Sequence, residues 1–269
     1  MARKVRTLPK IPGVGNRVAA GGKSASATIA IYSVKGGVGK TTLSANLAWC
    51  AARAGRNTLL WDLEAAGGAG FLFGIDAKEA KPAETVFSRD RSPAKLIRST
   101  GYDNLDLLPA DESICALDDT LVALGKRKRL AKLATALGKQ YQRIILDCPP
   151  VLNEISAQVM RAADLVIVPL PPSPLSTRAF DLVVREVSEG GKGHPPILPV
   201  LSMVDMRRKL HREAHEANPG WPVIPYASVV EQGAVRQKPV GALAPSSAAS
   251  QAFARLWQAI EKKLANPKR

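Results

Sequence analysis

From Val34 to Thr42 the chain reads VKGGVGKTT, and these residue types at this spacing suit the holding of a phosphate chain. Gly36, Gly37 and Gly39 let the backbone enter conformations closed to residues with a Cβ, so that successive N–H groups, including that of Val38 between them, can face phosphate oxygens. Lys40 offers a point charge to the β and γ phosphates and Thr41 a hydroxyl for Mg²⁺. The helix that opens at Thr42 turns its positive end on the same anion. A chance glycine-rich turn is the alternative, but it does not account for eight specified positions between an apolar strand and an alanine-rich helix. Asp147 ends the apolar run RIILD, just before CPP. A strand-end Asp downstream of such a loop holds Mg²⁺, often through its waters, although the same position could cap a helix. Together these residues imply Mg²⁺-dependent phosphohydrolase chemistry on a nucleotide.

The elements that must position these groups alternate along the chain. Apolar runs predict strands at 28–33, 57–63, 105–108, 143–147, 164–170, 196–203 and 222–226. Helical spacing predicts helices at 42–54, 174–189, from about 207, and 247–264, with one or two more in 111–139. Residues 71–75 (FLFGI) form a short apolar patch, and 82–98 suggests one or two short helices. The cations Lys126, Arg127, Lys128, Arg129 and Lys132 read as a solvated face. One α/β domain over 27–264 is expected, with a basic tail at 265–269.

At 269 residues the chain can bury a full core. Residues 1–26 carry six cations and no acid, with several Gly and Pro, and read as a flexible basic arm that either solubilises the chain or adds salt-sensitive affinity for DNA. Asp62 is the first carboxylate of the sequence. The formal charge of +15 points to polyanionic partners, nucleic acid first and anionic membrane second. No apolar run reaches the roughly 20 residues that span a bilayer, and no apolar segment follows the basic N-terminus as in a secretory signal. Cys50, Cys115 and Cys148 are far apart, which argues against a disulfide framework or a zinc site and for reduced thiols in cytoplasm.

The loop with its early lysine, Lys35 in KGGVGKTT, the turn DCPP at 147–150 and the segment SMVDMRRKLH from Ser202 resemble the ParA/MinD superfamily of deviant Walker A ATPases. The resemblance covers about 28–262 and implies a doubly wound, mostly parallel sheet flanked by helices. It implies ATP and Mg²⁺ as ligands, with a sandwich homodimer in the ATP state and slow hydrolysis stimulated by an unidentified partner, ParB-like or a cargo adaptor. By the same resemblance Lys35 reaches the partner subunit's nucleotide, and Asp62 positions or activates the attacking water. Asp205 and the PVIPY segment with Pro225 lie at the base. Ala65 and Ala66 stand where the family usually has Pro and Gln, and Ser202 where it has Asn. A ParA-like partition protein bound non-specifically to DNA at the nucleoid is the leading expectation, with Arg207, Arg208, Lys209 and Arg212 as contacts. The alternatives are a MinD-like membrane-cycling ATPase using the last helix, whose apolar stripe otherwise packs on the sheet, and a relative of nitrogenase iron protein, against which the scattered cysteines speak.

Overall fold

The computed structural model describes residues 26–75, 86–87, 93–123, 128–189 and 194–266. The expected arm up to residue 25, the tail beyond 266, part of the 82–98 stretch and Lys126 and Arg127 lie outside the described residues.

Short runs rich in Ile, Leu and Val cannot leave either face in water, and they become the centre of one sheet. Its strands are β1 (Ala27–Ile31), β2 (Thr58–Asp62), β3 (Arg98–Tyr102), β4 (Leu105–Leu108), β5 (Arg143–Asp147), β6 (Leu165–Leu170), β7 (Ile197–Val204) and β8 (Val223–Pro225), in the order β3-β4-β2-β5-β1-β6-β7-β8. All pairings are parallel except that of β3 with β4. The helices are α1 (Lys40–Arg53), α2 (Gly68–Leu72), α3 (Leu117–Ala123), α4 (Arg129–Leu137), α5 (Glu154–Ala162), α6 (Pro174–Glu189), α7 (Lys209–Ala217), α8 (Ser228–Arg236), α9 (Val240–Leu243) and α10 (Ala248–Ala265).

The two-residue period of a strand divides the core in two. Ala30, Tyr32, Leu59, Trp61, Ile144, Leu146, Val166 and Val168 face α4, α5 and α6, whereas Ile29, Ile31, Leu60, Ile145, Leu165 and Ile167 face α1 and α10. Each of the Val, Leu and Ile side chains among them contributes roughly 1.5–3 kcal/mol by leaving water. The result is the three-layer, doubly wound arrangement that the motifs imply, with every parallel strand delivering its following loop to the same edge.

The opposite edge, where those strands begin, is sewn shut by short bonds. Ala27 N–H donates to the Gln142 carbonyl at 3.0 Å and Gln142 N–H to Asn57 at 2.7 Å. Thr28 N–H donates to the Asp164 carboxylate at 2.9 Å, and Asp164 N–H returns to the Thr28 carbonyl at 2.7 Å.

Two segments form elements that the sequence-based expectation does not contain. RSTGY forms the edge strand β3, of which only Arg98 falls in the stretch expected to be helical, because the DN turn with Asn104 at φ 61° folds it back on β4. The segment VVEQGAVR, for which no helix is expected, is the helix α8. The last helix, α10, buries Ala252, Phe253, Leu256, Trp257 and Ile260 in the core. Its Glu261 accepts bonds from the buried Arg143 (2.6 Å to Nε) and from Arg56 (3.0 Å), so the stripe weighed as a membrane anchor is occupied. Among the described residues no helix is long and apolar enough to cross a membrane.

Candidate functional site

β1 ends in the middle of the sheet, between β5 and β6, and its loop enters α1 at the crevice beyond the strands' carboxyl ends. Gly37 (φ 68°) and Gly39 (φ 89°) hold left-handed conformations, and a Cβ added at Gly36 or Gly37 would meet no atom within 4 Å. The loop is therefore an open cradle, and Gly39 is the N-cap of α1 with no side chain to satisfy the free N–H groups behind it. No acid lies in the first turn of α1 to neutralise that positive end. Two serines tie the cradle down: the Lys35 N–H donates to Ser33 Oγ at 3.2 Å, and Ser202 Oγ donates to the Val38 carbonyl at 3.1 Å. Ser202 thus braces the loop from the tip of β7, a use that the missing Asn does not suggest. Lys40 is buried at the start of α1, while Thr41 and Thr42 are half-buried at the crevice.

Two carboxylates lie beneath the loop. Asp62 and Asp147 are partners in the β2–β5 register, and both are buried. Asp62 accepts the Glu64 and Ala69 N–H groups, each at 3.0 Å. Burial and then the Asp147 charge hold its carboxyl well above the usual range, against those two bonds. Burial likewise pushes Asp147 up to about 6, opposed by the Thr41 and Ser44 hydroxyls. Ser44 Oγ lies 3.0 Å from Asp147 Oδ1, and Asp147 Oδ2 is buried with no partner. A buried carboxylate oxygen without a partner, next to a threonine hydroxyl and under an anion cradle, is the donor set a hard divalent cation takes. The site therefore fits Mg²⁺ with a polyphosphate. Gly68 closes over it: a Cβ there would lie 3.1 Å from Thr41 Cγ2. Cys148 is buried beside the site as a packing residue.

Beside the loop lies a cavity of about 240 Å³, mostly apolar, walled by Val38, Gly39, Thr42, Met203, Pro225 and Tyr226 among others. Met203 reaches it from a left-handed backbone position (φ 54°) at the irregular end of β7, and its Cε would lie 3.3 Å from a Cβ on Gly39. Pro225 stands in the wall, whereas Asp205 does not line the cavity. The Asp205 carboxylate accepts from the Arg207 backbone at 3.0 Å and from its Nε and Nη2 at 2.9 Å each. Those bonds draw Asp205 down to about 2.

Lys35 is folded back on its own subunit, with Nζ donating to Ser176 Oγ at 3.4 Å. The four cations singled out for DNA are all exposed, with Arg207 and Arg208 near Asp205 and Lys209 3.7 Å from Glu213. Arg212 braces the turn through the Met206 and Arg207 carbonyls. Sequence reasoning missed Ser44, Gly68 and Met203, and named Tyr226 only within the PVIPY segment. Only Ser44 has a readable signal, since it lies one helical turn beyond Lys40 and its hydroxyl also reaches the Lys40 carbonyl at 3.0 Å.

A family profile described as an AAA domain matches residues 26–192. The chromosome partitioning protein ParA of Myxococcus xanthus is 31% identical over 201 residues, which is 72% of this chain and 70% of that protein. The sporulation initiation inhibitor protein Soj of Bacillus subtilis is 34% identical over 144 residues, 53% of this chain and only 57% of the relative's own length. Among solved structures, apo McdA of Cyanothece superposes with a TM-score of 0.78 at 20% identity, covering 87% of this chain and 99% of that one. The septum site-determining protein MinD of Pyrococcus horikoshii, complexed with Mg-ADP, gives 0.70 at 26% identity, covering 91% and 99%. The glycine cradle, the paired strand-end carboxylates, the central β1 and these matches agree, and the chain belongs to the ParA/MinD superfamily of ATPases.

Proposed function

We propose that this chain is a Mg²⁺-dependent ATPase of the partition type, whose ATP-bound dimer holds DNA non-specifically and lets go after hydrolysis. One observation carries the nucleotide chemistry: an open glycine cradle with buried Lys40 at its base and the unpartnered Asp147 Oδ2 beneath. The loop N–H groups and Lys40 bind and neutralise the phosphates. Thr41 and Asp147 would hold Mg²⁺, which supplies charge neutralisation at the phosphates when bound. Asp62, fixed by two backbone N–H groups, orients the attacking water, and the apolar cavity with Pro225 in its wall takes the base. Released from Ser176, Lys35 crosses to the nucleotide of a second copy. The exposed Leu152 and Leu175, on the loop after β5 and at the start of α6, supply apolar surface for that contact.

The charge of +15 supports DNA as the polyanion. Dimerisation doubles the cations that meet a duplex, and log affinity falls with log salt in proportion to the phosphates neutralised, so dimer formation alone turns weak attachment into firm binding. Arg207, Arg208 and Lys209 are the contacts in this reading, and Arg212 shapes the turn that presents them. A partner on plasmid, chromosome or other cargo stimulates hydrolysis, and the protein resides on the nucleoid in cytoplasm.

Binding to a random-sequence duplex at two salt concentrations, with ATP, with ADP and without nucleotide, tests this reading. Salt-sensitive binding promoted by ATP alone is expected. Binding that ignores nucleotide overturns the cycle.

A further inference from the structure

Tyr32 is the residue between β1 and the phosphate loop, and it is fully buried. Its hydroxyl lies 2.7 Å from the Val151 carbonyl and 2.8 Å from Glu186 Oε2 of α6. A phenol has one hydrogen, so only one of these acceptors is satisfied at a time. Ser156, in the first turn of α5, repeats the pattern: its hydroxyl can donate to the Asn153 carbonyl at 2.8 Å or to Glu186 Oε1. One carboxylate on α6 thus competes, at both of its oxygens, with carbonyls of the loop that follows Asp147. Burial and the Glu186 charge push the Tyr32 phenol up, so it stays a neutral donor throughout the physiological range.

The competing acceptors belong to different elements. Val151 and Asn153 flank the exposed Leu152 in the loop leaving the Asp147 strand. Ten residues before Glu186, the same helix holds Lys35 through Ser176, which Ser173 Oγ meets at 2.8 Å. Helix α6 therefore grips the phosphate loop at two points, at Tyr32 before the glycines and at Lys35 at their start. When the hydroxyl hydrogens lie on Glu186, α6 is held and the loop carbonyls are released. When they lie on the carbonyls, the loop is held and α6 is released.

We propose that Tyr32, Ser156 and Glu186 are positioning residues of the nucleotide cycle, a buried two-state joint that passes events at Lys35 and Asp147 to α6 and to the loop bearing Leu152. The proposal rests on the reading of the loop as an ATP site.

The test is hydrogen–deuterium exchange of the full chain with and without Mg·ATP, for wild type and for Tyr32→Phe, which keeps the ring and removes the hydroxyl. Binding of a fluorescent ATP analogue and thermal unfolding are measured alongside. ATP is expected to protect both 35–42 and 174–189 in wild type. In Tyr32→Phe the protection of 35–42, the nucleotide affinity and the change around Leu175 and Ser176 remain, while the response of the Glu186 end of 174–189 is lost. A response of the Glu186 end in the variant equal to wild type overturns the joint and leaves the ATP site standing, as does a wild type that binds ATP without altering that end. A wild type that binds no ATP overturns both. If Tyr32→Phe does not fold, Ser156→Ala and Glu186→Gln carry the same comparison, and loss of the response at the Glu186 end is expected in each.

Discussion

Asp62 and Asp147 stand side by side as register partners at the ends of β2 and β5, two buried carboxyls sharing one crevice beneath the phosphate loop. Neither has a cation as a hydrogen-bond partner among the described residues: Asp62 is met by backbone N–H groups and Asp147 by the Ser44 hydroxyl. The pair is paid for by function rather than by stability, since burying like charges opposes folding.

Asp147→Asn should therefore stabilise the metal-free, nucleotide-free protein while removing its response to Mg·ATP. The folded value of Asp147, about 6, lies above its ordinary 3.8. The group thus favours the fold below pH ~4 and loses that contribution as pH rises through about 6. In EDTA at pH 7.5 the variant should be more stable by roughly 1–3 kcal/mol, and the difference should vanish near pH 4. Denaturant titration at both pH values decides it, and a variant no more stable than wild type at pH 7.5 counts against the argument.

The two lysines of the loop should separate by experiment. Lys40→Ala removes the buried charge at the base of the cradle and should abolish nucleotide binding. Lys35→Ala should leave nucleotide binding intact and abolish ATP-dependent dimerisation. Sedimentation with and without ATP reads the second effect, and an intact ATP dimer of Lys35→Ala would sink the proposed closure.

The glycines offer a similar contrast. Gly39 at φ 89° faces Met203 Cε, so Gly39→Ala should cost about 1–2 kcal/mol of stability. At Gly36 a Cβ meets nothing, and no left-handed φ is required. Gly36→Ala should fold normally yet weaken ATP binding, because the methyl group occupies the cradle itself. Equal melting temperatures for the two variants would contradict this account.

The parallel strands were readable because both of their faces are buried, which leaves unbroken apolar runs such as TIAI and RIILD. The meeting of the loop with Asp147 was readable because a glycine-rich turn after one apolar strand and an acid ending another come to the same edge of a parallel sheet. β3 was not, since RSTGY is polar and its pairing depends on a turn at Asp103 and Asn104. Part of the wall of the apolar cavity was equally hidden: Met203 enters it through a strand irregularity that follows from packing. Asp205 shows the reverse error, because a matching residue type is turned toward Arg207, its neighbour two positions on.

The anchoring of α10 gives a pH-dependent prediction. Partial burial of Glu261 opposes its charge, but the Arg143 hydrogen bond and then the Arg143 and Arg56 charges outweigh it and hold the carboxyl below its usual range. A lowered folded value means stability present above the ordinary 4.5 and lost as pH falls through the folded value. Glu261→Gln should cost about 1–2 kcal/mol at pH 7, discounted for its partial exposure, and progressively less below pH ~4. Truncation after Ser250, which removes Phe253, Trp257 and Ile260 from the core, should abolish folded protein. Recovery of a stable truncated chain would reopen the membrane reading of this helix.

The stitched edge where the parallel strands begin bears on how such a chain can diverge. Ala27, Asn57 and Gln142 bind one another mostly through main-chain groups, with one further bond from the Asn57 N–H to Gln142 Oε1 at 3.1 Å, so spacing there is held more tightly than identity. In a library scanning every substitution and single-residue deletion, these positions should accept most replacements and almost no deletions. At the phosphate loop replacements should fail as badly as deletions, and this contrast between the two ends of the same strands would separate heritable architecture from heritable chemistry.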